Sequence, residues 1–590
     1  MISVFVSTSD APGGDTLHGR LAAVLNRLAA HRAARSRVKP GFARRPEPRD
    51  IGSLIRGQQL IGGTFQFADA LIQAPAQSIW DLPIPDPALG HALHGFSWLD
   101  DLAAVGDAAA RARAQVWTFD WIARYGLGKG PGWAPDMTGR RLIRLVNNAP
   151  MVLNGRDAAS RGVFMTSLAQ QVVFLSRRWP AATCGIARIE ALTGLIHAAL
   201  SLDGMARLVP PAMAALAREC HDGIDAHGAL PARNPEELLE VLTLLVRASE
   251  ALCAADIQTD PAIFHAIARI APTLRALRHA DGGLPRFHGG GCGAEGRLDA
   301  ALAASGIRTP AGTGLAMGYA RLQGGQTSVI IDAAPPPRGA SSVTGHASTL
   351  AFEMTSGRVP VVVSCGSGAP FGADWHRASR ATASHSTLEI SGYSSSRLGP
   401  EQGGDGARTQ LDETPQEVWM RTDERPGRQA IFGHDGYVCT HGLHHIRDLD
   451  LSADGRVLRG TDTLGTMSSA DRAGFDTVAA RAGSQGIGFR LRFHLHPDID
   501  AQIDMGGWAV SLALPSGEIW VLRFKGPVDL TLAPSVYLES GGLGPRPSRQ
   551  IVLSGHMPAQ ECQIVWTLER AQDTPATIRD SDTTVPQPDI

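Results

Sequence analysis

The chain has 590 residues, 43% hydrophobic and 19% charged, with a formal net charge of −2. That length exceeds one ordinary core, and the composition is that of a folded chain, so two unequal domains are expected and disorder is excluded. The near-zero net charge excludes a nucleic-acid binder held by bulk electrostatics.

The opening residues, MISVFVSTSDAPGG, have no basic start followed by a long apolar stretch, so a cleavable signal is not expected and the sequence reads as cytoplasmic. No run of about 18 apolar residues occurs, so no membrane span is expected. Roughly the first half then reads as helix after helix. Phe164, Leu168, Val172 and Leu175 recur at helical spacing. So do Ile189, Leu192, Ile196 and Leu200; then Leu238, Leu242, Leu245 and Leu252; then Phe264, Ile267, Ile270, Leu274 and Leu277. Breakers at Asn154-Gly155, Trp179-Pro180, Asp203-Gly204 and Pro210-Pro211 separate them. Helices of this length joined by short loops pack antiparallel, as a solenoid or a closed α/α toroid.

DGGLPRFHGGGCG (281–293) reads as a glycine-rich connector, and from 312 onward the segments shorten and alternate with period two. Gly345-His346 opens an alternating strand with Leu350, Phe352 and Met354 on one face, and Val359 to Val363 follows a Ser356-Gly357 turn. His385 stands at the start of the next strand. In 489–496, Phe489, Leu491, Phe493 and Leu495 alternate with Arg490, Arg492, His494 and His496, which would form a solvated or glycan-facing basic face. Ile519 to Phe524 and Ile551 to Leu553 are further strands, giving an antiparallel β-sandwich. The expected division is 1–300 helical, 301–570 sandwich, and 571–590 a polar frayed tail. The seven cysteines are scattered without CxxC spacing, as buried thiols. His441, His444 and His445 invite a metal reading, but on a strand 444 faces away from the other two.

Three stretches carry a resemblance: WAPDMTGRRLIRLVNNAPMVLNG (133–155) with Gln170-Gln171; GHASTLAFEMTSG (345–357) with RATASHST (380–387); and HDGYVCTHGLHHIRDLDLSADGRVLRGTDTL (434–464). Together they resemble the heparinase II/III-like family of polysaccharide lyases. The resemblance implies an α+β multidomain chain, an N-terminal (α/α) toroid followed by a C-terminal antiparallel β-sandwich. It also implies an acidic, uronate-containing glycan as substrate and an exported, periplasmic or envelope location. The implied chemistry is β-elimination: a base takes the C5 proton, the C4–oxygen bond breaks, and donors neutralise the neighbouring carboxylate.

Carried over residue by residue, His346 is the candidate base and Asn148 the candidate carboxylate grip, although Ala149 follows Asn148 where the family often has His. The family tyrosine falls on Glu237, within Arg233-Asn234-Pro235-Glu236-Glu237. Tyr437 is then the substitute proton donor, and Arg377, Arg380, His385, Arg233 and Glu237 are candidate substrate contacts. The family's zinc positions fall on Ser348, Ser364 and His385, one ligand of three, so neither metal nor other cofactor is expected. Two rival readings stand beside the lyase: a non-catalytic glycan-binding relative that has lost tyrosine and zinc, and a glycoside hydrolase using carboxylates among Glu236, Glu237 and Asp222.

Overall fold

The computed structural model describes residues 17–36, 41–44, 52–67, 70–75, 77–83, 87–312, 314–400, 409–422, 427–483, 486–539, 544–557 and 559–571. The signal reading at the first residues and the tail reading at 572–590 lie outside the described residues.

Short polar residues and prolines start the helices of the first half. Asp107, Asp157 and Asp260 accept from backbone N–H groups of the first turns of Ala108–Tyr125, Ala158–Arg178 and Pro261–Leu277. Asn234 caps Pro235–Ala254 by accepting from both Glu236 N and Glu237 N. Pro210 and Pro211 do not break a helix; they occupy the first turn of Val209–Gly223, where a missing N–H costs nothing. Phe164, Leu168, Val172 and Leu175 are all fully buried, as their spacing requires. Phe264 is not in the core: it is 52% exposed, and Ile263 takes the inward position beside Ile267 and Ile270. Helices Pro135–Asn147 and Ile186–Ser201 cross at two glycines: a Cβ on Gly194 would lie 2.4 Å from the Gly139 carbonyl oxygen.

These helices form the toroid, ending with Arg297–Ala304. The sandwich begins at Tyr319–Gly324 and consists of two eight-stranded, antiparallel sheets. Strand Gly488–Leu495 buries Phe489, Leu491, Phe493 and Leu495 on one side, as alternation predicts. The Gly-His pair does not open a strand. Leu350 takes a left-handed φ of 61°, so His346 lies in an irregular segment and the strand starts at Phe352. Among the described residues no helix is long and apolar enough to cross a membrane.

Candidate functional site

The seam between the two halves holds a continuous chain of buried polar groups. It starts at Arg233, which precedes helix Pro235–Ala254 with a left-handed φ of 51°. That turn aims its guanidinium into the sheet half, where it donates to the carbonyls of Met317, Gly318, Ala334 and Pro335 and to Asp332 Oδ1 at 2.6 Å. Asp332 is fully buried. Burial alone would raise its carboxyl, but Arg233 and His288 beside it more than reverse this and hold it well below the usual carboxylate range.

The other oxygen, Asp332 Oδ2, accepts from Ser348 Oγ at 2.7 Å and faces His288 Nε2 at 3.3 Å. His288 comes from the glycine-rich connector, also with a left-handed φ of 48°. Its Nδ1 accepts the backbone N–H of His346 at 3.0 Å, which leaves the proton of the neutral ring on Nε2, toward Asp332. His346 Nδ1 then meets His385 Nε2 at 3.1 Å, and His385 Nδ1 meets Ser364 Oγ at 3.1 Å.

His346 has no solvent exposure, and its Nε2 is buried without a hydrogen-bond partner among the described residues. Burial first, then the neighbouring His385 and His288, push its protonation well below the usual imidazole range. Burial likewise lowers His385 to about 3. Both rings are therefore neutral at pH 7. A neutral imidazole is the right form for a base, but this one does not meet solvent.

The structure thus gathers Arg233, His346 and His385 and adds two residues that sequence reasoning missed, His288 and Asp332. Glu237 sits nearby, half-buried in the first turn after Asn234, whose Oδ1 presses against Gly290 of the connector. Burial pushes the Glu237 carboxyl up to about 7.

Four other candidates are placed elsewhere or spent. Asn148 ends helix Pro135–Asn147, and its Nδ2 donates to Asp100 Oδ1 at 2.9 Å and to the Arg144 carbonyl, both within the helical half. Tyr437 is a correction. It is fully buried in the sandwich core, its hydroxyl donates to the Leu388 carbonyl at 2.9 Å, and burial makes it a weaker acid than an ordinary tyrosine, so it does not reach a cleft as a proton donor. Arg380 is buried, and each of its nitrogens donates to a carbonyl, of Gly345, Thr409 or Ser342, so it is anchored within the sandwich and not presented to a substrate carboxylate. Arg377 is exposed on the short helix Ala373–Ser379.

The residues at the family's zinc positions do not fit the ion: Ser348 is spent on Asp332 and Ser364 on His385. Among the described residues no group of three or more His, Cys, Asp or Glu is placed to hold a metal. His441 is not on a strand; it closes the short helix Val438–His441, which Gly442 ends with a left-handed φ. His445 bonds Asp462 at 2.7 Å and His444 pairs with Asp471. The basic face of 490–496 is largely neutralised: Arg490 and Arg492 both reach Glu389, and His494 is buried. Of the hydrolase carboxylates, Glu236 Oε2 accepts from Gly291 N and Asp222 is exposed beside His221, so they do not face one cleft.

Residues 307–567 match the family described as heparinase II/III-like, C-terminal. The chain is 30% identical over 546 residues to FtsZ-localized protein C of Caulobacter vibrioides (strain NA1000 / CB15N), covering 90% of this chain and 91% of that one. In fold it is similar to crystalline heparinase III, with a TM-score of 0.66, 12% identity, and coverage of 96% and 93% of the two chains. It is also similar to a mutant of heparan sulfate lyase HepC from Pedobacter heparinus, with a TM-score of 0.55, 14% identity, and coverage of 94% and 89%.

Proposed function

This chain belongs to the heparinase II/III-like family, and from that premise we propose that it is a non-catalytic member that works at FtsZ assemblies. The observation that carries the loss of chemistry is His346: the family's base is here fully buried and its Nδ1 is spent on His385. A base must come within hydrogen-bond reach of the C5 proton, and a sealed ring has no path to it. Glu237 in the tyrosine's place, Asn148 bound to Asp100, and serines at two zinc positions support the same reading. The FtsZ part is supported by likeness along nearly the whole of both chains to a relative named for its localisation with FtsZ. It would place this chain in the compartment that holds FtsZ.

A second reading, the uronate-glycan lyase, is favoured by two observations. The buried His346 Nε2 has no hydrogen-bond partner among the described residues, and a carboxyl titrating at about 7, Glu237, lies at the neighbouring helix start. A group with that acidity suits proton transfer at neutral pH.

Two measurements separate the readings. The purified chain is incubated with a panel of uronate polysaccharides while ultraviolet absorbance of the unsaturated product is followed; a flat trace is expected. A rise abolished by His346→Ala would restore the lyase. The chain is also centrifuged with polymerised FtsZ from the same organism; co-pelleting is expected, and retention in the supernatant overturns the FtsZ reading.

A further inference from the structure

One side of the sandwich is open. Strand Asp500–Asp504 ends one of the two large sheets and Val528–Tyr537 ends the other, and among the described residues neither has a strand beyond it. The two edges lie beside each other. Arg549, from the strand paired with Val528–Tyr537, reaches between the sheets and donates to the Ala501 carbonyl at 3.1 Å. Past the far end of Asp500–Asp504, Trp508 stacks on Phe524 with ring centroids 5.9 Å apart, and four residues after Phe524 the facing edge begins at Val528.

The turn between these points displays large apolar side chains. Met505, Gly506 and Gly507 take left-handed φ values of 52°, 66° and 98° in succession. Methionine stays in that region only where its surroundings impose it. Asp504 does so: its Oδ1 accepts from Met505 N at 2.7 Å and its Oδ2 from Ser511 Oγ at 3.0 Å. Ile503, Met505 and Trp508 are left 49%, 59% and 66% exposed. On the facing strand Leu530 and Leu532 pack on the core but are only half-buried. Large apolar side chains beside an unpaired strand edge mark a place where another chain can add.

Charge selects that chain. Residues 500–513 and 528–537 hold Asp500, Asp504 and Asp529, all exposed, and no lysine or arginine. Lys525 offsets one of the three, and Arg549 is committed to the Ala501 carbonyl. A second copy of this edge would set aspartates against aspartates, and a polyanion would be repelled. An extended segment with apolar side chains at alternate positions and basic ones between them matches the free backbone, the apolar mouth and the negative charge together.

We propose that this edge is a docking site for an extended, basic segment of another protein, which adds a strand to Val528–Tyr537. Asp529 and Leu530 point to opposite faces of that strand. Alternation therefore sets the segment's basic side chains beside Asp529 while its apolar ones enter the mouth against Ile503, Met505 and Trp508. Pro534, with no N–H to give, ends the usable edge, so 528–533 carries the pairing.

The test is fluorescence anisotropy of the full chain with a short labelled peptide that alternates lysine with leucine and valine. Two controls accompany it: the same peptide with glutamate for lysine, and one with alternate backbone nitrogens methylated. The lysine peptide should bind, more weakly as salt rises, and both controls at least about tenfold less tightly. Met505→Ser with Trp508→Ser should weaken the lysine peptide at least about tenfold. Asp500→Asn with Asp529→Asn should flatten the salt dependence. All four side chains are exposed, so the melting temperature should stay near that of wild type. Amide exchange across 528–533 should slow when peptide is bound. Wild-type protein that ignores the lysine peptide, a serine pair that binds it equally well, or unchanged exchange across 528–533 overturns the proposal. So does a dimer in sedimentation that the serine pair dissolves, since a second copy would then cover the edge. No FtsZ is present in this assay, so failure here leaves the FtsZ reading standing.

Discussion

Arg233 and Asp332 meet 2.6 Å apart inside the seam, the carboxylate wholly out of contact with solvent. The arginine ends a loop of the helical half and the aspartate ends strand Thr327–Asp332 of the sandwich. Removing one partner of a buried pair leaves the other charged and uncompensated. Arg233→Ala should therefore cost about 3–5 kcal/mol, read as a lower urea midpoint. Arg233→Lys keeps the charge but not the fork that serves four carbonyls, and should fall between. A shift under about 1 kcal/mol for the alanine variant would mean water takes the arginine's place.

The neutral histidines of the seam make stability fall on mild acidification. In the unfolded chain each imidazole binds a proton near pH 6.5, while folded His385 resists until about 3 and His346 and His288 are lowered in the same direction. Stability is therefore full above pH 6.5 and declines as pH falls from there toward the folded values. Each such ring contributes about 1.4 kcal/mol per pH unit below 6.5. Asp332 has a depressed folded value, so its own contribution survives until pH drops below about 4. Urea midpoints at pH 7, 6 and 5 check this, and His385→Asn should flatten the slope; a flat wild-type profile contradicts it.

Glu237 works in the opposite sense. Its folded carboxyl titrates at about 7, above the unfolded value, so its burial weighs on stability once pH rises past 4.5 and fully above 7. Glu237→Gln should be more stable than wild type at pH 8 by about 1–3 kcal/mol, with the gap closing by pH 4. Glu237→Tyr, which restores the family's side chain, should still give no unsaturated product, because His346 remains sealed. Product from that variant would revive the eliminase.

Asn148 is predicted to matter for folding and not for sugars. Asn148→Ala leaves Asp100 Oδ1 short of a donor beside Arg144, and should cost about 1–2 kcal/mol, seen as a lower melting temperature. Glycan affinity should not change. Removing Asp100 as well should cost less than the sum of the two single changes, since they share one interaction.

The order of helices and then strands was legible in the sequence because burial imposes periods of 3.6 and 2, and Phe489, Leu491, Phe493 and Leu495 show the second period, with His494 the one polar residue between them that is buried as well. Phe264 escaped because two adjacent apolar residues, Ile263 and Phe264, both fit a helical stripe and only packing chooses between them. That His346 and His385 are both candidates for one site was legible through family resemblance; their contact was not. The fate of the site was not, because it depends on partners far apart in sequence: His288 lies 58 residues from the backbone it accepts from, and Asp332 lies 99 from Arg233. The one available signal was a histidine beside three glycines in the connector. Tyr437 misled because the lack of the family's tyrosine at Glu237 says nothing about which side of a sheet another ring faces.

Arg233 is not alone in reaching across. Arg286, also from the helical side, donates to the carbonyls of Ser364, Cys365 and Leu538, and its backbone N–H donates to Glu353. A fragment cut at the edges of the matched region, 307–567, would keep Asp332 and Glu353 but forfeit both guanidinium groups. Its interior would contain stranded anions, and it would be recovered as aggregate. The stretch inherited as a recognisable unit is therefore not one that can be transplanted by itself.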